Sequence, residues 1–464
     1  MKRRWKMLFS VLSVSLLVLA GLAWGSSSLS NRKLHDAVLR GDFVQVRKWL
    51  HYGGSANAIN HRGESLLHSA VRSGRVEVAM ELLAQGADPH ACNQHQQTPL
   101  LLAVLVGNPQ LTQAIIDAGA SVEPIRAQSP APLLLAVEFG NHEIVIQLLK
   151  VGANVHVKGG RFEGTPLHSA ASRGDEAMIE LLLEHGAQID AVDVLGRQPS
   201  HMAAARDAQA LELLLDRGAE IEPQTYASTP LAMAAQHGRL ESVKLLLARG
   251  ANLDCVPTGG QSALVAAVNA GNVPIVKLLL SPGDGEQFGQ ALFSATRSNN
   301  LALVDLLLAE GADPLQQDQD KYSLLHVAAE QGNVPLLQRL VAAGVDVNAQ
   351  ANNGATALHI AARSGQTNAV RFLLEQGADV QLGKGQPIGT PLHALMRGAV
   401  SNLNHTSAHL SVLELLLTTP IDVNATDHGN DTALRIAVER ELEPYAQRLT
   451  ARGAQLWGGD HLPR

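Results

Sequence analysis

The stretch Gly164-Thr165-Pro166-Leu167-His168-Ser169-Ala170-Ala171 decides the fold, because related stretches recur through most of the chain. When Thr165 is taken as the phase mark, most successive marks follow one another at a nearly constant spacing. Self-similarity at a fixed period of this length is typical of repeat proteins, in which each unit is one supersecondary structure. We count thirteen units, with marks at Arg32, Ser65, Thr98, Ala131, Thr165, Gln198, Thr229, Ser262, Gln290, Ser323, Thr356, Thr390 and Thr432.

Each unit predicts a pair of antiparallel helices. A Thr or Ser at the mark suits a helix N-cap, and a Pro one residue later, as at Pro166, suits the first helical position. A Gly nine residues past the mark, such as Gly107 or Gly174, predicts a left-handed residue that ends the first helix. A second helix then carries a leucine triplet, as at 181–183, before another Gly ends it. The pattern therefore predicts an all-α repeat solenoid.

The repeats resemble those of the ankyrin-repeat family, whose 33-residue pattern includes T-P-L-H-x-A. The motif is carried by Thr165-Pro166-Leu167-His168, by Thr390-Pro391-Leu392-His393 and, with Ala in place of Pro, by Thr356-Ala357-Leu358-His359. The resemblance covers about residues 31–457, and it implies a stack of antiparallel helix pairs with short β-hairpin loops. The capping pattern and the resemblance together indicate structural roles for Thr98, Thr165, His168, Thr356, His359, Thr390 and His393.

The composition of the chain excludes several classes of protein. Of its 464 residues 46% are apolar, 3% aromatic and 17% charged, which is too apolar for a disordered chain. The chain has two cysteines, Cys92 and Cys255, which are too few to stabilise a fold of this size by disulfide bonds. A net charge of −7 argues against nucleic acid as a partner, because phosphate binding requires a basic face.

The segment 1–25 is predicted to be a targeting segment. Four basic residues at its start precede the uncharged run 7–25, which is about 28 Å long as a helix and nearly crosses a bilayer core. Ala23-Trp24-Gly25 fits a signal-peptidase site, whereas Trp5 and Trp24 bracket the run as interfacial aromatics bracket a membrane helix. Both a signal peptide and a signal-anchor transmembrane helix at 1–25 therefore fit, followed by a linker at 26–30.

The repeat array is predicted to span 31–457, with a short tail at 458–464. The spacing between repeats indicates that a hairpin loop is missing near 281–289. Such a break in the array would open a gap in the wall of the groove or form a hinge. Extra residues near 397–410 form an insertion between two helices. A neutral deletion is the alternative explanation for the missing hairpin, and a tolerated surface loop is the alternative explanation for the insertion.

The sequence predicts no enzyme, metal or cofactor. It contains no phosphate-binding loop and no nucleophile motif, and an open stack offers a groove instead of a closed pocket. His90, Cys92 and His95 lie in one connecting loop and are weak metal-ligand candidates, because their spacing matches no standard zinc site. His405 and His409 in the insertion are weaker still, since they lack the Glu of H-E-x-x-H.

Two repeats differ from the others at the end of the first helix. Seven and eight residues past the mark most repeats are polar, as at Arg72-Ser73 and Arg363-Ser364, whereas two repeats carry Leu105-Val106 and Glu138-Phe139. Phe162, Leu195 and Tyr226 at successive loop tips extend this set. Exposed apolar side chains at a groove favour a binding hot spot, although packing between neighbouring repeats is the alternative.

These observations favour a non-enzymatic protein-interaction scaffold that is exported across, or anchored in, a membrane. Its partner is expected to be a protein. Only its N-terminal segment is expected to contact a membrane, and the chain is expected to be a monomer. A periplasmic or cell-envelope location follows from the basic start of the chain. The alternatives are a secreted effector-like or inhibitory protein, a cytoplasmic stack tethered to the membrane and, least favoured, a metalloenzyme that uses the His-rich loops.

Overall fold

The computed structural model describes residues 29–60, 63–124, 129–223, 228–256, 260–280, 285–399 and 406–457. Within these ranges the regular structure is entirely helical, which confirms the predicted fold class. The predicted targeting segment 1–25 and the tail 458–464 lie outside the described residues, and no described helix is long and apolar enough to span a membrane.

Twenty-six helices alternate between the first and the second helix of successive repeats within the described ranges. Their bounds are α1 29–40, α2 Phe43–His51, α3 Leu66–Arg72, α4 Val76–Ala84, α5 Pro99–Val106, α6 Pro109–Asp117, α7 Pro132–Glu138, α8 His142–Lys150, α9 Pro166–Arg173, α10 Glu176–Glu184, α11 Pro199–Ala204, α12 Ala208–Asp216, α13 Pro230–Gln236, α14 Leu240–Ala248, α15 Ala263–Asn269, α16 Val273–Leu279, α17 Gly285–Arg297, α18 Leu301–Ala309, α19 Leu324–Gln331, α20 Val334–Ala342, α21 Ala357–Arg363, α22 Thr367–Glu375, α23 Pro391–Gly398, α24 Thr406–Leu417, α25 Ala433–Glu439 and α26 Glu443–Ala451.

The helices begin and end where local chemistry requires. The Thr98 hydroxyl accepts a hydrogen bond from the Leu101 N–H at 3.1 Å and caps α5, and Gly107 ends that helix with a φ of 70°. Asn299, with a φ of 57°, takes the same place after α17, since Asn tolerates the left-handed conformation better than most residues. Second helices are often capped by Asn or Asp, as at Asn108, a regularity that the sequence pattern did not single out.

The chain forms two compact units. The first extends to Ala234 and also contains Glu241–Ala251, and the second contains Ala235–Leu240, Asn252–Val256 and the chain from Gln261 onward. Within the first unit α3, α5, α7, α9 and α11 pack in succession as one layer, while α4, α6 and α8 form another. Within the second unit α19, α21, α23 and α25 form one layer, and α20, α22, α24 and α26 form the other.

The core of each unit lies between the two layers. Small residues such as Ala170 and Ala171 are completely buried, so adjacent first helices approach closely. Leu182 from the leucine triplet of α10 is also completely buried. The loops between repeats contain only isolated antiparallel bridges in the described residues, for example between Gly159 and Gly164.

The boundary of the array differs slightly from the prediction. Helix α1 already covers residues 29 and 30, which the sequence assigned to the linker 26–30. The Ser30 side chain is buried and its hydroxyl donates to the Tyr52 carbonyl at 3.4 Å. This contact ties the first helix to the end of the second, so the repeat begins earlier than its motif. The break near 281–289 stays a prediction, as does the insertion near 397–410, because parts of both lie outside the described residues.

Candidate protein-interaction surface

The recurring histidines bind each repeat to the next. The His168 Nδ1 accepts from the Thr165 backbone N–H at 3.1 Å and lies 2.9 Å from the Thr165 hydroxyl. Its Nε2 donates to the carbonyl of Arg197 in the following repeat at 2.9 Å. His359 makes the same contacts with Thr356 and the Gly389 carbonyl. Both ring nitrogens of His168 and of His359 are therefore engaged within the stack, which these side chains stabilise.

Burial keeps these histidines neutral. It lowers the pKa of His168, His326 and His393, and it lowers the pKa of His359 to about 4. Protonation at Nδ1 would replace the acceptor of the capping hydrogen bond by a second donor. The neutral form is therefore the form that the fold uses.

The loop candidates for metal binding are not assembled into a site. The backbone N–H groups of His90 and His95 donate to Asp88 and Asn93 within the loop, at 2.8 and 2.9 Å. In the part of the chain that the structure describes, no three His, Cys, Asp or Glu side chains are grouped as metal ligands, which covers Cys92 as well. His405 lies outside the described residues, and the His409 Nε2 donates to the Arg363 carbonyl at 3.1 Å.

The first part of the predicted surface lies at the C-terminal ends of α5 and α7, which pack side by side. Leu105 and Phe139 are 37% and 59% exposed, and Val106 is also exposed. Phe139 is the C-cap residue of α7, a place that Ser364 occupies after α21. These apolar side chains therefore project from the stack instead of filling its core.

The second part is the loop tip that carries Phe162. The Arg197 guanidinium lies over the Phe162 ring at 4.6 Å from the centroid, and that of Arg161 lies at 5.3 Å. The Val194 N–H of the next loop donates to the Phe162 carbonyl at 3.0 Å. Because neighbouring loops fix it in this way, Phe162 is a preorganised aromatic contact that still exposes 36% of its surface.

The buried carboxylate of Asp193 holds the neighbouring loop in shape. It accepts from the N–H groups of Leu195 and Arg197 at 2.8 and 2.9 Å, and it pairs with the Arg197 guanidinium at 2.7 Å. Burial alone would raise the pKa of Asp193, but the hydrogen bonds from Arg197 and from the backbone lower it below its usual range. Leu195 is thereby held with 44% of its surface exposed.

A small cleft connects the two parts of this surface. Glu138 and Phe162 both line it, together with Arg197, and its volume is about 150 Å³. Partial burial raises the pKa of the Glu138 carboxyl group. Gly159 also lines it, and an added Cβ there would come within 2.6 Å of the Leu134 side chain, so a larger residue would require that side chain to move. Tyr226, the last predicted member, lies outside the described residues.

A second cleft lies in the second unit beside α17. The sequence pattern did not identify the residues that line this cleft. Its volume is about 550 Å³, and Val265, Phe293 and Arg297 line it with the loop 316–319. Helix α17 begins at Gly285, within the connection between repeats that the sequence shows to be short. The only signal in the sequence was the short spacing, because Phe293 lies within an ordinary repeat pattern.

The comparison with protein families agrees with the geometry. A model of three-copy ankyrin repeats matches residues 34–125, 133–225, 222–289 and 292–384. The chain belongs to the ankyrin-repeat family. Ankyrin repeats are protein–protein interaction modules and generally non-enzymatic scaffolds, so protein partners are the expected ligands of this surface. The search of curated proteins finds no match to the chain.

Proposed function

We propose that this chain is a non-enzymatic scaffold, exported across or anchored in a membrane, that binds a partner protein through its groove and loop tips. The binding surface consists of Leu105, Val106, Glu138, Phe139, Phe162 and Leu195, with Tyr226 as its expected extension. Open ankyrin stacks bind protein surfaces, since a row of repeats presents a continuous groove and no enclosed pocket.

The observation that carries the proposal is the exposure of Phe139. Phe139 is 59% exposed at a place where Ser73 and Ser364 stand in other repeats. Burial of apolar surface stabilises a fold by about 25 cal/mol per Å², so the exposed part of the Phe139 side chain adds nothing to the stability of the stack. Exposed aromatic side chains next to a fixed loop are typical of interface hot spots.

The test is in-cell crosslinking of the tagged full-length protein, followed by mass spectrometry of the captured proteins. Leu105→Asp and Phe139→Asp are expected to abolish capture of a partner while the circular dichroism spectrum stays unchanged. Ser364→Asp places the same charge at the equivalent position of another repeat and is expected to leave capture intact. Unfolding of the Phe139 variant, or capture that persists in it, would overturn the assignment of this surface.

The secreted effector-like or inhibitory protein is the alternative, and the same experiment separates it from the scaffold. Mature protein that begins at Ser26 and accumulates in the medium, without a reproducible partner in the producing cell, would favour the effector. Protein retained in the membrane fraction with Met1 intact would favour the anchored scaffold. Protease access in intact cells then distinguishes an exported stack from a tethered cytoplasmic one.

A further inference from the structure

The first described repeat carries a group of aromatic, aliphatic and basic side chains, which we call the cap patch: Lys33, Val44, Lys48, Trp49 and Tyr52. Lys33 belongs to α1, and the others belong to α2 or to its C-cap. Trp49 occupies the place that Leu182 has in the repeat marked by Thr165, where the side chain is completely buried. In the first described repeat Trp49 is only half-buried.

The lysines of the cap patch surround the indole ring. The Lys33 ammonium lies 4.7 Å from the Trp49 ring centroid, and that of Lys48 lies at 5.8 Å. The Tyr52 ring lies 6.0 Å from the same ring. The result is one compact surface in which aromatic edges and ammonium groups are adjacent.

The positive charge of the cap patch is not neutralised within the described residues. Arg47 is the basic residue of α2 that forms an ion pair there, with Glu81 at 3.6 Å, whereas neither Lys33 nor Lys48 pairs with a described carboxylate. Residues 29–60 contain five basic and two acidic residues, although the chain as a whole carries a net charge of −7. The end of the array is therefore positive on an otherwise acidic protein.

The cap patch also exposes unusual apolar area. Val44 is 71% exposed and Tyr52 61% exposed. A terminal repeat that only needed solubility would present polar side chains at its outer face. Exposed Tyr and Val and a half-buried Trp beside lysines without a described carboxylate partner match the composition of protein surfaces at the boundary between membrane and water, where aromatic rings lie among headgroups and lysines meet anionic lipids.

We propose that the cap patch docks on a bilayer surface that contains anionic phospholipids. Charge complementarity selects this occupant, because a second copy of the same patch would bring lysine against lysine. The chain length agrees: the apolar run of the predicted targeting segment ends at Gly25, eight residues before Lys33. Because α1 begins at residue 29, this stretch spans at most about 20 Å. The docking does not depend on whether the N-terminal segment is cleaved or retained, since a cleaved chain would bind the lipid surface from solution.

The test uses the full-length protein reconstituted in vesicles, with an environment-sensitive fluorophore on Val44→Cys in a Cys92→Ser, Cys255→Ser background. Vesicles contain phosphatidylcholine alone or phosphatidylcholine and phosphatidylglycerol in a molar ratio of two to one. The emission is expected to shift to the blue only with phosphatidylglycerol and to return at high concentrations of NaCl. Because each lysine near an anionic surface contributes about fivefold in binding, Lys33→Gln with Lys48→Gln should lower the ratio of docked to undocked cap roughly 30-fold.

A matched control separates docking from net charge and from anchoring. Lys150→Gln with Lys277→Gln removes the same charge at exposed positions elsewhere and should leave the shift intact. Flotation of the protein with both kinds of vesicle reports on insertion of the N-terminal segment independently of the label. Equal emission in both vesicles, or a shift that survives in the Lys33 and Lys48 variant, would overturn the proposal. A concentration-dependent shift without vesicles would instead assign the patch to contact between copies of the chain.

Discussion

Acidification should loosen the repeat that contains His359 by an amount that the structure allows us to calculate. Burial lowers the pKa of His359 to about 4, and the neighbouring His326 and His393 act in the same direction. In the unfolded chain the pKa of histidine is about 6.5. Between these two values the unfolded state binds more protons than the folded state. The contribution of neutral His359 to the stability of the folded repeat is therefore complete above a pH of about 6.5, and it is lost as the pH falls towards about 4.

The magnitude follows from the two pKa values. From pH 7.5 to pH 5.0 the free energy of opening should fall by about 2 kcal/mol for His359 alone, which corresponds to roughly 30-fold more frequent opening. Hydrogen exchange read by mass spectrometry on peptides from α21, Ala357–Arg363, measures this opening after correction for the intrinsic pH dependence. A local readout is preferable because long repeat arrays do not unfold in one step.

His359→Gln provides the decisive comparison. A Gln at this helix position can still accept the Thr356 N–H in a capping box, but it does not titrate. The variant should open more easily at pH 7.5, because it loses the bond to the Gly389 carbonyl at 2.9 Å, and it should lose about 2 kcal/mol less than the wild type on acidification. His428→Gln at an exposed site is the control. An acid response of α21 that is identical in the wild type and His359→Gln would refute the reasoning.

Three further substitutions test the fold and the loop beneath the candidate surface. Leu182→Ala removes a completely buried side chain and should lower the free energy of opening by about 2–5 kcal/mol, measured by hydrogen exchange on peptides from the affected helix. Thr98→Ala removes the cap of α5 and should cost about 1 kcal/mol, measured in the same way, whereas Thr98→Ser should cost much less. Asp193→Asn removes the buried partner of Arg197, so the Phe162 tip should become more sensitive to protease at pH 7. Because the pKa of Asp193 is lowered, this difference between variant and wild type should vanish as the pH falls through the pKa of the folded protein.

The candidate surface shows where sequence reasoning stops. The exposed positions of Leu105 and Phe139 followed from their phase in the repeat, which places them at a helix end facing away from the core. Nothing in that phase placed Glu138 and Phe162 in one cleft, or Arg197 over the Phe162 ring, since these contacts join residues of consecutive loops. The sequence did not indicate the cap patch for a related reason: the approach of Lys33 to Trp49 joins α1 to α2 and depends on how these two helices pack.

The sequence by itself determined the family, the helix pairs and most helix ends, because capping, proline placement and left-handed glycine act within a few residues of each other. The recurrence of these local signals at a nearly constant period specified that the units stack. Only the tertiary structure decided which apolar side chains stay exposed and which histidine nitrogens face the next repeat. Those properties depend on what neighbouring repeats cover, and a residue of the same type and phase is buried in one repeat and exposed in another.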